Sequence, residues 1–212
     1  SNKTGWLKLF LIMEEYMIQE RLHKQMSFIR EIEKLKVVYR QNGTMGNKRQ
    51  ENSAEHSWHI AMMALVLQEY FPHKVDVFRV VKLLLIHDIV EVYAGDTFLY
   101  DDKKRLDAKK IEKEAAKKIF SLLPEEQAED FYTSWLEFEE VTTKEAEFAK
   151  ILDNLQPIIN HYTTRNQNII GKELTKRQIA AKKSFIKELA PELWEYADMI
   201  LDKSVEIGLY KA

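Results

Sequence analysis

Apolar residues recur at three- and four-residue spacing along almost the whole chain, the pattern of helices that bury one face. The spacing predicts a first helical region over residues 4–37, open to a break near Leu22–Lys24, with Leu7, Phe10 and Leu11 on one face and Phe28, Ile32 and Leu35 on one face further along. Residues 38–52 are polar and hold Gly43 and Gly46, so they read as a loop. Ser53 is suited to cap a helix running to about Phe71, where Pro72 ends a stripe formed by Ile60, Met63, Ala64 and Leu67. The next helix spans about 75–93; its middle, Val80 to Val90, is nearly all apolar and is expected to be buried, and Gly95 suits its C-terminal end. After a loop at 96–102 come a charged helix over about 105–122 and another that Pro124 opens and that runs to about Glu140. Thr143 can cap a helix over 144–164, in which Pro157 is expected to introduce a kink, and two more helices cover about 175–189 and 192–208. No strand pattern, repeat or low-complexity linker interrupts the series. The expectation is one all-α domain over residues 1–212.

Composition agrees with that reading and narrows the chemistry. A length of 212 residues suits one domain, and 6 Gly with 4 Pro are few for an all-β protein built on tight turns. A formal net charge of −2 provides no field to gather a nucleic acid or hold a membrane surface. The basic cluster Lys103, Lys104, Arg105, Lys109 and Lys110 is interleaved with acids and reads as a solvated helix face. With no cysteine, disulfides, thiolate metal sites and Cys nucleophiles are excluded, so any metal must be held by nitrogen and oxygen. No segment is long and apolar enough to cross a membrane. The run Trp6 to Met13 is short, interrupted by Lys8 and followed by Glu14 and Glu15, so it reads as an amphipathic helix rather than a signal peptide. A cytoplasmic location is the resulting default expectation.

The chemistry-bearing residues stand out against this apolar background. In Leu83-Leu84-Leu85-Ile86-His87-Asp88-Ile89-Val90-Glu91, a carboxylate and an imidazole lie inside an apolar run. Burying an ionised carboxylate is unfavourable unless it is paired or binds a metal. Taken alone, the His87-Asp88 pair reads more readily as an internal hydrogen bond than as a site. Glu91 shares its helix face, however, and Asp96 lies just beyond the helix end, so three acids and a histidine gather at one place. Like charges so close favour a bound cation. Glu55-His56-Ser57 opens the preceding helix, and Asp153 is a further acid in an apolar setting, within Lys150-Ile151-Leu152-Asp153-Asn154-Leu155. Alone, Asp153 reads as a capped or exposed acid. His59 and His161 read as ordinary helix histidines, His23 and His73 lie at expected helix ends, and Trp58 and Tyr93 read as packing residues.

Together these residues resemble the HD-domain phosphohydrolase superfamily, whose pattern is a His early in one helix, His-Asp in the next and a distant Asp. The finer resemblance is to the bacterial 5′-deoxynucleotidases and their eukaryotic relatives. Their string Glu-Asn-x-x-Glu-His-Ser is similar to Glu51-Asn52-Ser53-Ala54-Glu55-His56-Ser57, and His-Asp-x-x-Glu-x-x-x-Gly-Asp is similar to His87 through Asp96. Arg40 can supply the Arg that precedes the first His in that subgroup. The resemblance spans about residues 25–165, with extra helices at both ends. One departure is Thr97-Phe98-Leu99-Tyr100, where the subgroup has a proline shortly after Gly-Asp.

The resemblance implies an HD-type helical bundle holding one divalent metal (Mn, Co, Fe, Ni, Zn or Mg) on His56, His87, Asp88 and Asp153. It implies catalytic roles for Glu91 and Asp96, which would handle the attacking water and the leaving group. It implies that Arg40 binds the substrate phosphate, with Glu55 orienting His56 or Arg40. The implied substrate is a small molecule, a nucleoside or deoxynucleoside 5′-monophosphate, and the implied assembly a homodimer. Two other readings stay open on the sequence: hydrolysis of another phosphate ester, such as a guanosine alarmone or cyclic dinucleotide, and a non-catalytic metal-binding sensor module.

Overall fold

The computed structural model describes the backbone of residues 2–95, 102–166, 168–169 and 173–212, with side chains from residue 13 onward except at 47 and 102–108. Among the described residues the chain is helical apart from one short hairpin and an isolated bridge between Thr175 and Lys211. Helix α1 (Asn2–Ile32) is continuous, without the break considered near Leu22–Lys24. No Gly or Pro interrupts it there, and a Glu20–Lys24 pair at 3.5 Å spans that stretch. A 3₁₀ turn, Glu33–Val37, leads into strands β1 (Tyr39–Gly43) and β2 (Gln50–Asn52), which pair antiparallel with Tyr39 opposite Asn52 and Gly43 opposite Gln50. This hairpin replaces the expected loop. It escapes the strand pattern because its buried side chains, Asn42 and Glu51, are polar and meet other polar groups, so no apolar alternation marks it. Gly46, at φ 76°, takes the left-handed conformation needed to turn the hairpin.

Helix α2 (Ser53–Leu67) is capped by Asn52, not by Ser53 as expected. The Asn52 side chain accepts from the Glu55 N–H at 2.9 Å, and the Glu55 carboxylate accepts from the Asn52 N–H at 3.1 Å. Asp76 caps α3 (Val77–Ile86). The helix expected to run unbroken to residue 93 stops here, at Ile86. Residues 87–90 form a turn and α4 (Glu91–Ala94) follows. The N–H groups of Ile89, Glu91, Val92 and Tyr93 each donate to the carbonyl three residues back, which tightens the backbone around His87 and Asp88. Gly95 then ends the segment at φ 74°.

Helices α5 (Asp102–Phe120) and α6 (Glu125–Glu140) form a hairpin, and Thr143 caps α7 (Lys144–Thr164) as the spacing predicts. Pro157 lies inside α7; lacking an N–H, it leaves the carbonyl of Asp153 without its helical donor. The helix expected over 175–189 is two, α8 (Lys176–Lys183) and α9 (Phe185–Leu189), and α10 (Pro191–Glu206) closes the fold. The C-terminus is tied back by Lys211, whose N–H donates to Leu174 and whose carbonyl accepts from Lys176. Among the described residues, no helix is long and apolar enough to cross a membrane.

Two apolar clusters hold these elements. One joins α2, α3, α7 and α10 through Ile60, Leu83, Leu84, Ile151, Leu155 and Leu201. The other joins α1, α5 and α6 to the end of α3 through Phe28, Ile119, Phe120, Trp135, Ile86 and Ile89. Each fully buried Leu or Ile contributes about 1.5–3 kcal/mol relative to exposure. The segment Leu83–Val90 crosses from one cluster to the other, so the His87-Asp88 turn is pinned from both sides.

Candidate metal centre and cleft

His87 follows the last turn of α3, and its ring Nδ1 lies 2.7 Å from the Leu84 carbonyl. A carbonyl only accepts, so Nδ1 carries the proton and Nε2 is the nitrogen turned toward Asp88 and Asp153. That nitrogen is buried. It lies 2.9 Å from Asp88 Oδ1 and 3.7 Å from Asp153 Oδ1, yet it makes no properly directed hydrogen bond. His56, fully buried in α2, is fixed the same way from another side. Its Nδ1 lies 3.1 Å from Gln156 Oε1, while the Gln156 amide nitrogen donates to Glu51 at 2.8 Å, which sets the amide's orientation. His56 Nε2 therefore faces Asp153 Oδ1, 3.1 Å away. Two helices and the turn after α3 thus bring two imidazole nitrogens and two carboxylates to one point.

The spacing and charge of these donors suit a divalent ion. The ligand atoms of His56, His87 and Asp88 lie within 4.8 Å of one another, and Asp153 touches both imidazoles from α7. Neighbouring donors on a first-row ion with bonds of about 2.1 Å stand roughly 3 Å apart, close to the 2.9 and 3.1 Å contacts here. Each half of the site is also incomplete without a positive charge. Burial disfavours a proton on His87, but Asp88 and Asp153 outweigh it and raise its pKa to about 10. Burial likewise works against Asp88, which His87 and Arg40 hold at about 2. Asp153, also opposed by burial, is held well below the usual carboxylate range by His56 and His87. Burial, together with Arg40, pushes His56 down to about 4, so it is neutral and ready to ligate at pH 7. In the protein alone, a proton on His87 carries the charge that an ion between the carboxylates would carry. The mixed nitrogen and oxygen donor set, free of sulfur, fits Mn, Co, Fe, Ni, Zn or Mg.

Behind the donors lies a buried polar network. Asn42 of β1 donates to Glu51 at 2.7 Å and to Gln156 at 3.1 Å, and its carbonyl oxygen lies 3.0 Å from His161 Nε2. His161 Nδ1 in turn meets the Tyr210 hydroxyl at 2.6 Å. Burial raises the Glu51 pKa, opposed by Arg40, Asn42 and Gln156. The network ties the metal-facing helix α2 to the C-terminal segment.

The cleft in front of the donors is lined by Arg40, Glu91, Lys150, Lys183 and Tyr210 besides His87, Asp88 and Asp153. Arg40 projects from β1 and donates to Asp88 Oδ2 at 2.9 Å. Glu91, at the start of α4, accepts from the Ser53 hydroxyl at 2.5 Å. Six of the eight residues singled out in the sequence therefore meet here. Asp96 lies outside the described residues. Glu55 does not make the expected contact with His56 or Arg40: half-exposed, it pairs with Arg49 and closes the α2 cap. The reason is helical geometry, because the third residue of the helix is the one that reaches back to the cap. The buried acid close to both His56 and Arg40, at 4.0 Å from each, is Glu51.

Sequence reasoning missed Glu51, Gln156, Asn42, Ser53 and Lys183, and read His161 as ordinary. Glu51 lies within the matched string but had no role attached. Gln156 follows Asp153 by three residues, one helical turn on. Lys183 falls in the apolar series Ile179, Lys183, Ile186, spaced four and three, where a surface lysine does not belong.

Comparison with known proteins agrees with this geometry. Residues 32–194 match the HD domain family. The human 5′-deoxynucleotidase HDDC2 is 33% identical over 135 residues, 63% of this chain; the match spans 65% of that relative's length, just under two thirds. A 5′-deoxynucleotidase of Photorhabdus laumondii is 33% identical over 136 residues, covering 60% of this chain and 68% of that protein. Among solved structures, a protein described as a predicted metal-dependent phosphohydrolase from Magnetospirillum magnetotacticum superposes with a TM-score of 0.82 at 40% identity, covering 91% of this chain and 99% of the other. With the family match covering most of its length and the His, His-Asp and Asp residues converging in space, the chain belongs to the HD-domain family.

Proposed function

We propose that this protein is a metal-dependent phosphohydrolase that cleaves nucleoside 5′-monophosphates, deoxynucleotides included, to nucleoside and phosphate. The observation that carries the reading is the convergence of His56, His87, Asp88 and Asp153 beside a cleft that also presents Arg40 and Glu91. The deoxynucleotide preference rests on the names of the relatives.

His56, His87, Asp88 and Asp153 would hold one divalent ion, with Mn, Co, Fe, Ni, Zn and Mg as candidates. When bound, such an ion polarises a phosphoryl oxygen and makes water more acidic. The chain does the rest. Gln156 and the Leu84 carbonyl hold both imidazoles in the tautomer that offers Nε2. Arg40, already turned toward Asp88, meets the phosphate oxygens with its planar fork. Glu91, steadied by Ser53, accepts the proton of the attacking water as the new O–P bond forms. The bond between phosphorus and the sugar's 5′ oxygen then breaks, and that oxygen takes up a proton; the resemblance implies Glu91 and Asp96 together for the water and the leaving group.

The proposed assembly is a homodimer. Large apolar side chains stay exposed along α1 at Tyr16, Ile18, Leu22, Met26 and Ile29, and light scattering at low micromolar concentration tests whether two copies associate. The activity itself is tested with a panel of ribo- and deoxyribonucleoside 5′-monophosphates, using chelator-stripped protein resupplied with Mn²⁺, Co²⁺ or Mg²⁺. Metal-dependent phosphate release is expected, strongest with deoxynucleotides. Release only from a cyclic dinucleotide or a pyrophosphorylated guanosine would move the reading to another phosphate ester.

A further inference from the structure

Among the described residues three Lys or Arg side chains line the cleft, and two of them have acids close by. Arg40 pairs with Asp88 at 2.9 Å, and Lys150 lies 3.9 Å from Asp153 and 4.0 Å from Glu139. The third, Lys183 at the end of α8, differs from both. It is 3% exposed, and among the described residues no carboxylate forms an ion pair with it. Its ammonium donates to the Asn154 carbonyl at 2.6 Å, on the turn of α7 that carries Asp153. An ammonium has three donors and no acceptor. Burying one without a contacting carboxylate is unfavourable, and capping one helix carbonyl does not explain why a charge is kept there. Lys183 lines the same cleft as Arg40, His87, Asp88 and Asp153, on the side of the metal-binding donors, and the charge of Asp153 acts on it.

We propose that Lys183 is a second phosphate-binding group of this site, holding with Arg40 the anionic end of a phosphate monoester. The proposal rests on the phosphohydrolase reading for its substrate and adds a residue contributed by the C-terminal helices. Burial lowers the lysine's pKa to about 8, which leaves it mostly charged at neutral pH. A phosphate dianion entering the cleft would supply a contacting counter-charge, where Asp153 acts on Lys183 without forming an ion pair with it.

The test compares Lys183→Gln, Lys183→Met and Lys183→Arg in the Mn²⁺-loaded protein. Gln keeps a donor for the Asn154 carbonyl and loses the charge, so it separates the two roles. Calorimetry with inorganic phosphate should show affinity about tenfold or more weaker in Lys183→Gln and Lys183→Met, and largely kept in Lys183→Arg. KM for a nucleoside monophosphate should rise in step, with Mn²⁺ affinity unchanged. Thermal unfolding checks the fold; if Lys183→Met does not fold, Lys183→Gln decides. Unchanged phosphate affinity in a folded Lys183→Gln, or no phosphate binding by the native holoprotein, overturns the proposal. Lysine-dependent phosphate binding without hydrolysis of any nucleotide upholds the role of Lys183 and defeats the proposed activity instead.

Discussion

Two of the regions that flank α7 in the cleft are built on different principles. Residues 39–94 bring Arg40, His56, His87, Asp88 and Glu91 from strand and helix ends, and hydrogen bonds or ion pairs within the protein hold them in place. The segment from α8 onward brings Lys183 and Tyr210 by tertiary packing; Tyr210 bonds to His161, and Lys183 is a buried charge with a single carbonyl partner among the described residues. The first region leaves a buried imidazole nitrogen, His87 Nε2, facing carboxylates without a directed hydrogen bond, while the second holds a buried cation with no ion pair among the described residues. In such a site Lys183 stands apart from the metal-binding donors, so its role is separable from theirs by mutation, whereas Arg40 is tied to Asp88.

The largest effect should come from breaking the first region. Asp88→Ala or His87→Ala should abolish Mn²⁺ binding and phosphate release together, because each removes a ligand and leaves a buried partner unpaired. Full turnover in either variant would contradict the assignment. Glu91→Gln should lower kcat by about 10² to 10⁴-fold while the calorimetric Mn²⁺ affinity stays at the native value. A loss of metal in that variant would make Glu91 a ligand rather than a base. Gln156→Leu removes the acceptor that fixes His56 and should weaken metal binding by about 10–100-fold, with the fold intact by circular dichroism.

Raising the pH sharpens the comparison without mutation. The His87 pKa of about 10 lies above its ordinary value, so below that pH the ion must displace one proton to bind. Mn²⁺ affinity should therefore rise about tenfold per pH unit between about pH 7 and 9, with one proton released per ion in buffers of different ionisation enthalpy. A flat profile would mean that His87 is already neutral. The smallest effect belongs to Tyr210→Phe, which removes one end of the network at His161. It should cost about 1 kcal/mol in stability and leave Mn²⁺ affinity unchanged.

The same contrast explains what could be read from the chain. His87-Asp88 and Glu91 were legible because a charged pair in an apolar run is chemically conspicuous and the spacing to Glu91 is short. The turn that interrupts the helix at His87 was not, since the apolar positions on both sides keep a helical period while the backbone tightens. The hairpin was hidden because its inward side chains are polar, Asn42 bonding to Gln156, and the Gly43 backbone bonds to Asn160 rather than facing an apolar core. Asn52 and Ser53 are both good caps, and only the fold shows that Ser53 is taken by Glu91. Lys183 and Gln156 act across 29 and 105 residues of sequence, distances at which no local spacing announces a contact.

The most direct test of the central claim is phosphate release from a deoxynucleoside 5′-monophosphate during stepwise addition of Mn²⁺ to chelator-stripped protein, with bound metal measured in the same samples. The account predicts that turnover rises in proportion to occupancy and saturates at one ion per chain. Turnover that persists in excess chelator, or full occupancy with no release from any nucleotide, would contradict it.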